Sequence, residues 1–300
     1  MIPSAGHVFL TLLLTTGLRF EDPNPPTIEQ LIACLETSEA AIRNLSVTTE
    51  YVKLDKFLLP VDKPVRLQLT TKFIVEREGR SWYDCVGEQI SRPKPNEVSI
   101  YRGRWQMAFD GEVATSMKGD SDGVFHSAGI DNYPGWHGVN PLEFTTHYFQ
   151  KPLSKILKDS DPTVVGQTKW ESQPVAIVET KPVVKEQSRK YRLLIDPARR
   201  IVVRRAALVQ FAPDQMWQEY TRIESREHKE VSPGVWLPTR VKYESVHVTK
   251  DMTPEELSWS FEGRNSEWKV NSKIPDETFR LVFPANVIVT DQRKPKPGEK

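Results

Sequence analysis

Cysteine is scarce in this 300-residue chain, with Cys34 and Cys85 the only two. They suit an oxidising compartment and leave a bridge open, because a disulfide needs Cα atoms within about 7 Å and a sequence does not supply that distance. An excess of either charge is also missing: 41 basic residues face 40 acidic ones, for a net charge of +1. Nucleic acid rewards a basic face through counterion release, so it is excluded as a partner. Long apolar runs are nearly absent. Beyond Val8 to Leu18, no stretch is hydrophobic enough to span a bilayer.

Signatures of catalysis are missing too. No Gly-x-Ser-x-Gly elbow occurs, and neither cysteine has an evident activating partner. His126, His137 and His147 share one mid-chain region with Asp120, Asp122 and Asp131, but no two histidines have the His-x-x-x-His spacing of a helical metal pair. Asp120-Ser-Asp-Gly123 is a fragment of a calcium loop without the later ligands or the terminal Glu. Such residues in a loop are turn formers. The expectation is a non-enzymatic protein with no catalytic residue, no metal and no cofactor.

What is present is a folded globule, 38% hydrophobic and 27% charged. Val8 to Leu18 has the length of a signal-peptide core, although Met1 to His7 carries no Lys or Arg and no Ala-x-Ala box precedes Glu21. A polar, proline-bearing stretch through Pro26 separates it from the rest. Residues 1–20 are therefore read as a signal peptide, which places the chain in the periplasm or another extracytoplasmic space with no transmembrane segment after cleavage. Thr27 and Gln30 form a capping box ahead of Ile28, Leu31, Ile32, Leu35, Ile42 and Leu45 at helical spacing, which predicts an amphipathic helix over 27–45.

From Ser46 the texture becomes β. Val65, Leu67, Leu69, Thr71, Phe73 and Val75 fall on one face of a period-two pattern. Further runs at 46–58, 80–90, 97–109, 112–118, 163–170, 174–181, 189–196, 200–211, 216–228, 235–248 and 257–270 are separated by turn formers. Asp110-Gly111 reads as a two-residue hairpin, and Asp196-Pro197 and Pro233-Gly234 mark other turns. Strands joined so tightly are antiparallel neighbours. The segment at about 119–160 interrupts them: a Gly-, Asp- and His-rich loop, then Asn140-Pro141 opening a helical stretch with Leu142, Phe144, Phe149, Leu153, Ile156 and Leu157 on its apolar side. It is read as a helical lid. No linker divides the chain, so 21–294 is taken as one domain and 295–300 as a disordered tail.

The fold class that follows is mainly β (α+β): an incomplete antiparallel β-barrel, a curved sheet of about eleven strands with helices over its concave side. A partly curled sheet leaves an apolar hollow, for which the candidate lining is Leu31, Leu35, Phe73, Trp82, Trp105, Phe109, Phe144, Leu153, Ile156, Trp170, Trp217 and Trp236. Glu76, Arg77, Glu78, Arg204, Arg205, Arg222, Glu224 and Arg226 are assigned to the solvated convex face.

The stretch Phe279-Arg-Leu-Val-Phe-Pro-Ala-Asn-Val-Ile-Val-Thr-Asp-Gln-Arg-Lys294 resembles the end of the periplasmic lipoprotein carrier family (LolA-like), where a Phe-x-Phe strand, a proline turn and a Val-x-Val-x-Asp strand close the chain. The upstream order is similar: a helix ending in Arg43-Asn-Leu45, a strand ending at Glu76-Arg77, and Trp105-Gln-Met-Ala-Phe-Asp110-Gly111 like the carrier's aromatic strand and hairpin. The resemblance implies a half-barrel that holds acyl chains under a helical lid. It gives lid closure to Arg77 or Arg80, although Arg77-Glu-Gly-Arg80-Ser-Trp82 lacks the proline found beside the carrier's arginine. The implied protein is a monomeric periplasmic carrier whose partners are a lipid or acylated protein and an envelope protein. The alternative is a lipid-sensing or protein-interaction module of the same fold without a transport role.

Overall fold

A computed structural model describes residues 25–55, 65–94, 97–132, 140–148, 151–184, 187–248 and 256–293. The expected signal peptide and tail, with His137 and Phe149, lie outside the described residues. Helix α1 (Ile28–Ala41) opens as its sequence dictates: Thr27 Oγ1 accepts from the Gln30 N–H at 3.3 Å, and Gln30 Oε1 accepts from the Thr27 N–H at 2.9 Å. It stops short of the expected 45, because Ile42 turns extended and Leu45 and Val47 enter the core from a strand.

The strands are β1 (Asn44–Asp55), β2 (Val65–Glu76), β3 (Ser81–Lys94), β4 (Glu97–Phe109), β5 (Ala114–Asp120), β6 (Phe125–Asp131), β7 (His147–Tyr148), β8 (Lys151–Pro152), β9 (Thr163–Trp170), β10 (Gln173–Glu179), β11 (Val183–Val184), β12 (Ser188–Asp196), β13 (Ile201–Gln210), β14 (Gln218–Ser232), β15 (Val235–His247), β16 (Glu256–Val270) and β17 (Ile288–Asp291). Helix α2 (Leu153–Lys158) follows β8, and 3-10 turns occupy Pro141–Phe144 and Asp276–Phe279. Fifteen strands form one open, curved sheet in the order β17-β6-β5-β4-β3-β2-β1-β16-β15-β14-β13-β12-β10-β9, with β11 beside β12; β7 and β8 pair separately.

The sheet therefore exceeds the expected eleven or so strands. The strands not expected are β6, which lacks alternation in sequence, and β11, which is two residues long, whereas β17 is the closing Val-x-Val-x-Asp strand that the family resemblance implies. Because β6 belongs to the sheet, the segment expected as a lid from about 119 is corrected: 119–131 is hairpin, and the cover begins at 140. The Asp110-Gly111 connection is likewise a four-residue loop, closed by Asp110 Oδ1 accepting from the Glu112 and Val113 N–H groups at 3.0 and 2.9 Å. Phe279 sits in a 3-10 turn instead of opening a strand, and β17 pairs parallel with β6. Both cysteines are free thiols, Cys34 half-buried on α1 and Cys85 buried on β3.

Strand order explains why a cover exists. β1 to β6 form one meander and β9 to β16 another, and among the described residues their strands pair along the β1–β16 seam. The connection from β6 to β9 must run nearly the full width of the sheet, twelve strand spacings of about 4.8 Å if flat. Residues 140–148 and 151–158 cross the face that carries Leu45, Val47, Phe73, Tyr83 and Met107, here called inner. Along this path Leu142 packs with those residues, Phe144 with Ile223, Val241 and Phe261, and Leu153 and Leu157 with Leu31, Leu35, Val178, Leu193 and Ile195. A second crossing, from β16 to β17, takes the outer face, where Leu281, Phe283 and Val287 pack on Met117 and Ala128.

Glycine is required where backbone approaches closely, as at Gly87 on β3. Gly87 has φ +152°, and a Cβ there would lie 2.3 Å from the Gln68 carbonyl oxygen across the β2–β3 ladder. Backbone cannot yield cheaply, so Gly87→Ala should lower unfolding free energy by about 2 kcal/mol or more in urea titrations. Wild-type stability in that variant would refute the close approach.

Candidate functional site

Side-chain alternation decides which predicted residues can share a site. The inner face receives Phe73 and Trp105, whose indole meets Tyr83 edge-on at 6.2 Å, together with half-buried Phe109 on the same side of β4. The cover and α1 bring Leu31, Leu35, Phe144, Leu153 and Ile156 against it.

Four tryptophans assigned to the hollow lie on the outer face instead. Trp82 stands between Ser81 and Tyr83, pairs with Ile74 and Ala108, and so points away from Phe73. Trp170 and Trp236 pack on Val175, Leu194, Ile201 and Val203, with Arg226 and Arg199 over their rings. Trp217 lies under Lys190 Nζ, 4.5 Å from its ring centre. The signal was available: Trp236 sits between Val235 and Leu237, and only one set of an alternating pair can face the core.

Arg205 errs in the other direction. Expected on the convex face, it is 6% exposed on the inner face, opposite Leu193 and Ile223, and its Nη1 donates to the His147 carbonyl at 2.9 Å. The cause is a bulge in β13 that sets Val203 and Arg204 together on the outer side. Sequence reading also missed an aromatic row on the inner face beyond Phe144. Tyr243 stacks on Trp259 at 4.4 Å and 13°, Phe261 follows at 5.7 Å, and Tyr51 and Phe144 meet Phe261 edge-on. The Trp259-x-Phe261 and Val241-x-Tyr243 alternations carried that signal.

The cover is held by few polar bonds. Ser225 Oγ donates to the Phe144 carbonyl at 2.7 Å, and Arg205 holds His147. The buried Glu39 carboxylate of α1 accepts from the Ser154 N–H at 2.9 Å and from its hydroxyl, so α1 caps α2; burial raises this carboxyl above its ordinary range. Arg77 donates to the Ala40 and Ile42 carbonyls at the C-terminus of α1, at 2.9 and 3.3 Å. Arg80 pairs with Glu76 and Asp276 and lies over Phe279, which fastens the outer crossing and not the inner cover. Beneath the cover, between Phe144, Leu153, Val202, Arg205 and Ile223, remains a cavity of about 10 Å³, the space of one water probe. Larger hollows flank it: about 310 Å³ beside Trp105, Met107 and Lys118, and about 250 Å³ beside Arg189, Val209 and Tyr220.

His126 is exposed on the β5–β6 hairpin, 2.8 Å from Asp120, whereas His147 is a buried residue of the cover. Among the described residues no three His, Cys, Asp or Glu side chains converge as metal ligands would. Burial pushes the Cys85 thiol up, beside the Tyr83 and Tyr51 hydroxyls, so it stays protonated at neutral pH.

No protein-family model matches the chain, and no curated protein matches it by sequence. Solved structures similar to it include a DUF1329 family protein from Desulfovibrio piger ATCC 29098, at 7% identity over 85% of this chain and 98% of that one, with a TM-score of 0.48. A Vibrio parahaemolyticus domain described as an outer membrane lipoprotein-sorting protein domain shares 10% identity over 84% and 96%, with a TM-score of 0.43. LprF from Mycobacterium bovis shares 12% over 84% and 98%, at 0.29. The site stands on its own side chains.

Burial, and then the charge of Arg77, hold the His147 pKa at about 4, below an ordinary 6.5. A depressed histidine contributes stability above its unfolded pKa and loses it as pH falls towards the folded value. Between pH 7 and pH 5 this one group should cost about 2 kcal/mol. His147→Gln should flatten that part of the pH dependence of unfolding; an unchanged slope would assign it elsewhere.

Proposed function

We propose that this chain is a non-enzymatic, extracytoplasmic binding protein that takes a lipid, or the acyl chains of a lipoprotein, onto the inner face of its sheet by exchange with the 140–158 cover. The observation that carries this reading is how the cover occupies the face. Leu142, Phe144, Leu153 and Leu157 fill three apolar clusters in place of a ligand, while Tyr243, Trp259 and Tyr51 stay only partly buried at its margin. Magnitudes favour exchange. Withdrawing four such side chains costs about 6–12 kcal/mol, and an acyl chain of about fourteen methylenes returns roughly 11. Uptake and release are then close to balance, as a reversible binder requires. In this reading Arg77 keeps α1 docked while the cover moves.

Tyr243 and Trp259 offer flat apolar surface to an incoming chain without first displacing anything. Titration with a fluorescent palmitate analogue tests the scheme. Phe144→Ala should tighten binding about tenfold or more, because the cover then competes less well. A Tyr243→Ser, Trp259→Ser variant should weaken it, with the β-sheet circular dichroism of both unchanged. Identical affinities across the three proteins, or no binding by any, would overturn the reading. A second reading, an interaction module, draws on the apolar sheet edges, where Val183, Val184 and Ile288 are exposed. Capture of a protein partner by a chain that ignores palmitate would favour it.

A further inference from the structure

The outer face of β10 to β15 is a lattice of satisfied charges. Glu179 pairs with Lys190 and Arg192, Glu219 with Arg204 and Arg222, Glu224 with Arg204 and Arg226, and Glu244 with Lys242. Across the seam the same face sinks into a trough of about 840 Å³ shared by β15, β16, β1, β2, β3 and β4. There the matching fails. Arg66, Arg102 and Arg264 line the trough, all exposed, and among the described residues none reaches a carboxylate.

Register gives the cross-strand neighbours of each arginine. Arg264 stands directly opposite Arg240, a like-charge pair that costs stability unless something anionic lies between. Arg240 turns to Glu227 and Glu262 instead, and Glu50, across the β1–β16 ladder on the other side of Arg264, forms no salt bridge with it. Arg102 stands opposite Glu88, yet that carboxylate is taken by the Gln68 N–H at 2.7 Å. Arg66 has Leu54 across the ladder. Val52, Leu54, Val86 and Leu257 supply an apolar floor between the guanidinium groups.

We infer that this trough is a second binding site, for a phosphate-bearing group with an apolar neighbour, held by Arg66, Arg102 and Arg264. Guanidinium forks match phosphate oxygens in geometry and charge. Glu50, Glu244 and Glu262 in the same trough repel a long polyanion, so the ligand carries one or two negative charges. An anionic phospholipid headgroup and a soluble phosphate ester share this chemistry. The site lies on the face opposite the acyl surface and does not depend on that reading.

The test uses the full chain, the triple variant R66Q/R102Q/R264Q, and a control, R226Q/R293Q, that removes two paired arginines elsewhere. Each is sedimented with phosphatidylglycerol–phosphatidylcholine vesicles and with phosphatidylcholine alone, and titrated calorimetrically with glycerol phosphate, which has no acyl chain. Wild type and control should bind, each arginine contributing about fivefold on the anionic vesicles, with weakening at higher salt. Binding of glycerol phosphate as well as vesicles identifies the phosphate as the recognised group; binding of vesicles alone identifies a headgroup at a surface. A triple variant that binds like wild type, a control that loses as much, or wild type that binds neither probe would overturn the inference.

Discussion

The rest of the structure depends on one geometric debt: a meander that leaves the sheet at one edge must resume at the other. With β6 near one end and β9 at the other, the connecting chain has to traverse the sheet, and the apolar inner face is where traversal releases free energy. The cover is thus a consequence of topology before it is a device. Leu142, Phe144, and the pair Leu153 and Leu157 fall at intervals along the path and enter three separate clusters. Few polar bonds pin it, because a crossing strap has no ladder partner of its own beyond the short β7–β8 pair.

Much of this was legible from periodicity. The capping box at Thr27, the alternation from Val65 to Val75, and the turn at Pro233-Gly234 are local, and local physics wrote them. Asn140 and Pro141 announced the start of the cover, with Asn140 Oδ1 accepting from the Leu142 N–H at 2.9 Å. Strand order was not legible, since nothing near β1 says that β16 will lie beside it. Facing failed where bulges intervene: one extra residue in β13 sent Arg205 inward. The tryptophans failed for another reason. Bulk suggested a core, but Trp82 and Trp236 each sit one step out of phase with buried neighbours, and phase outranks bulk.

The two faces use opposite solutions for the same backbone. Beneath the cover, apolar side chains from three directions fill space down to a cavity of about 10 Å³, and the buried Glu39 and Arg205 are each bound to the cover. Outside, acids and bases on neighbouring strands neutralise one another, which keeps a broad sheet in water without inviting a second sheet to stack on it. Arg204 belongs to that lattice and Arg205 to the interior, although they are adjacent in the chain.

The seam between β1 and β16 joins Leu45 to Val270, 225 positions apart, while each meander is assembled from neighbours in sequence. Loop closure of that length makes the seam the slowest contact to find. During synthesis the first half-sheet therefore has to wait with β1 unpaired on one side, a long strand edge open to any other chain, until residues 256–270 arrive. A chain shortened before that point would keep two half-sheets, one open along β1 and the other along β15, both edges that β16 covers in the full chain.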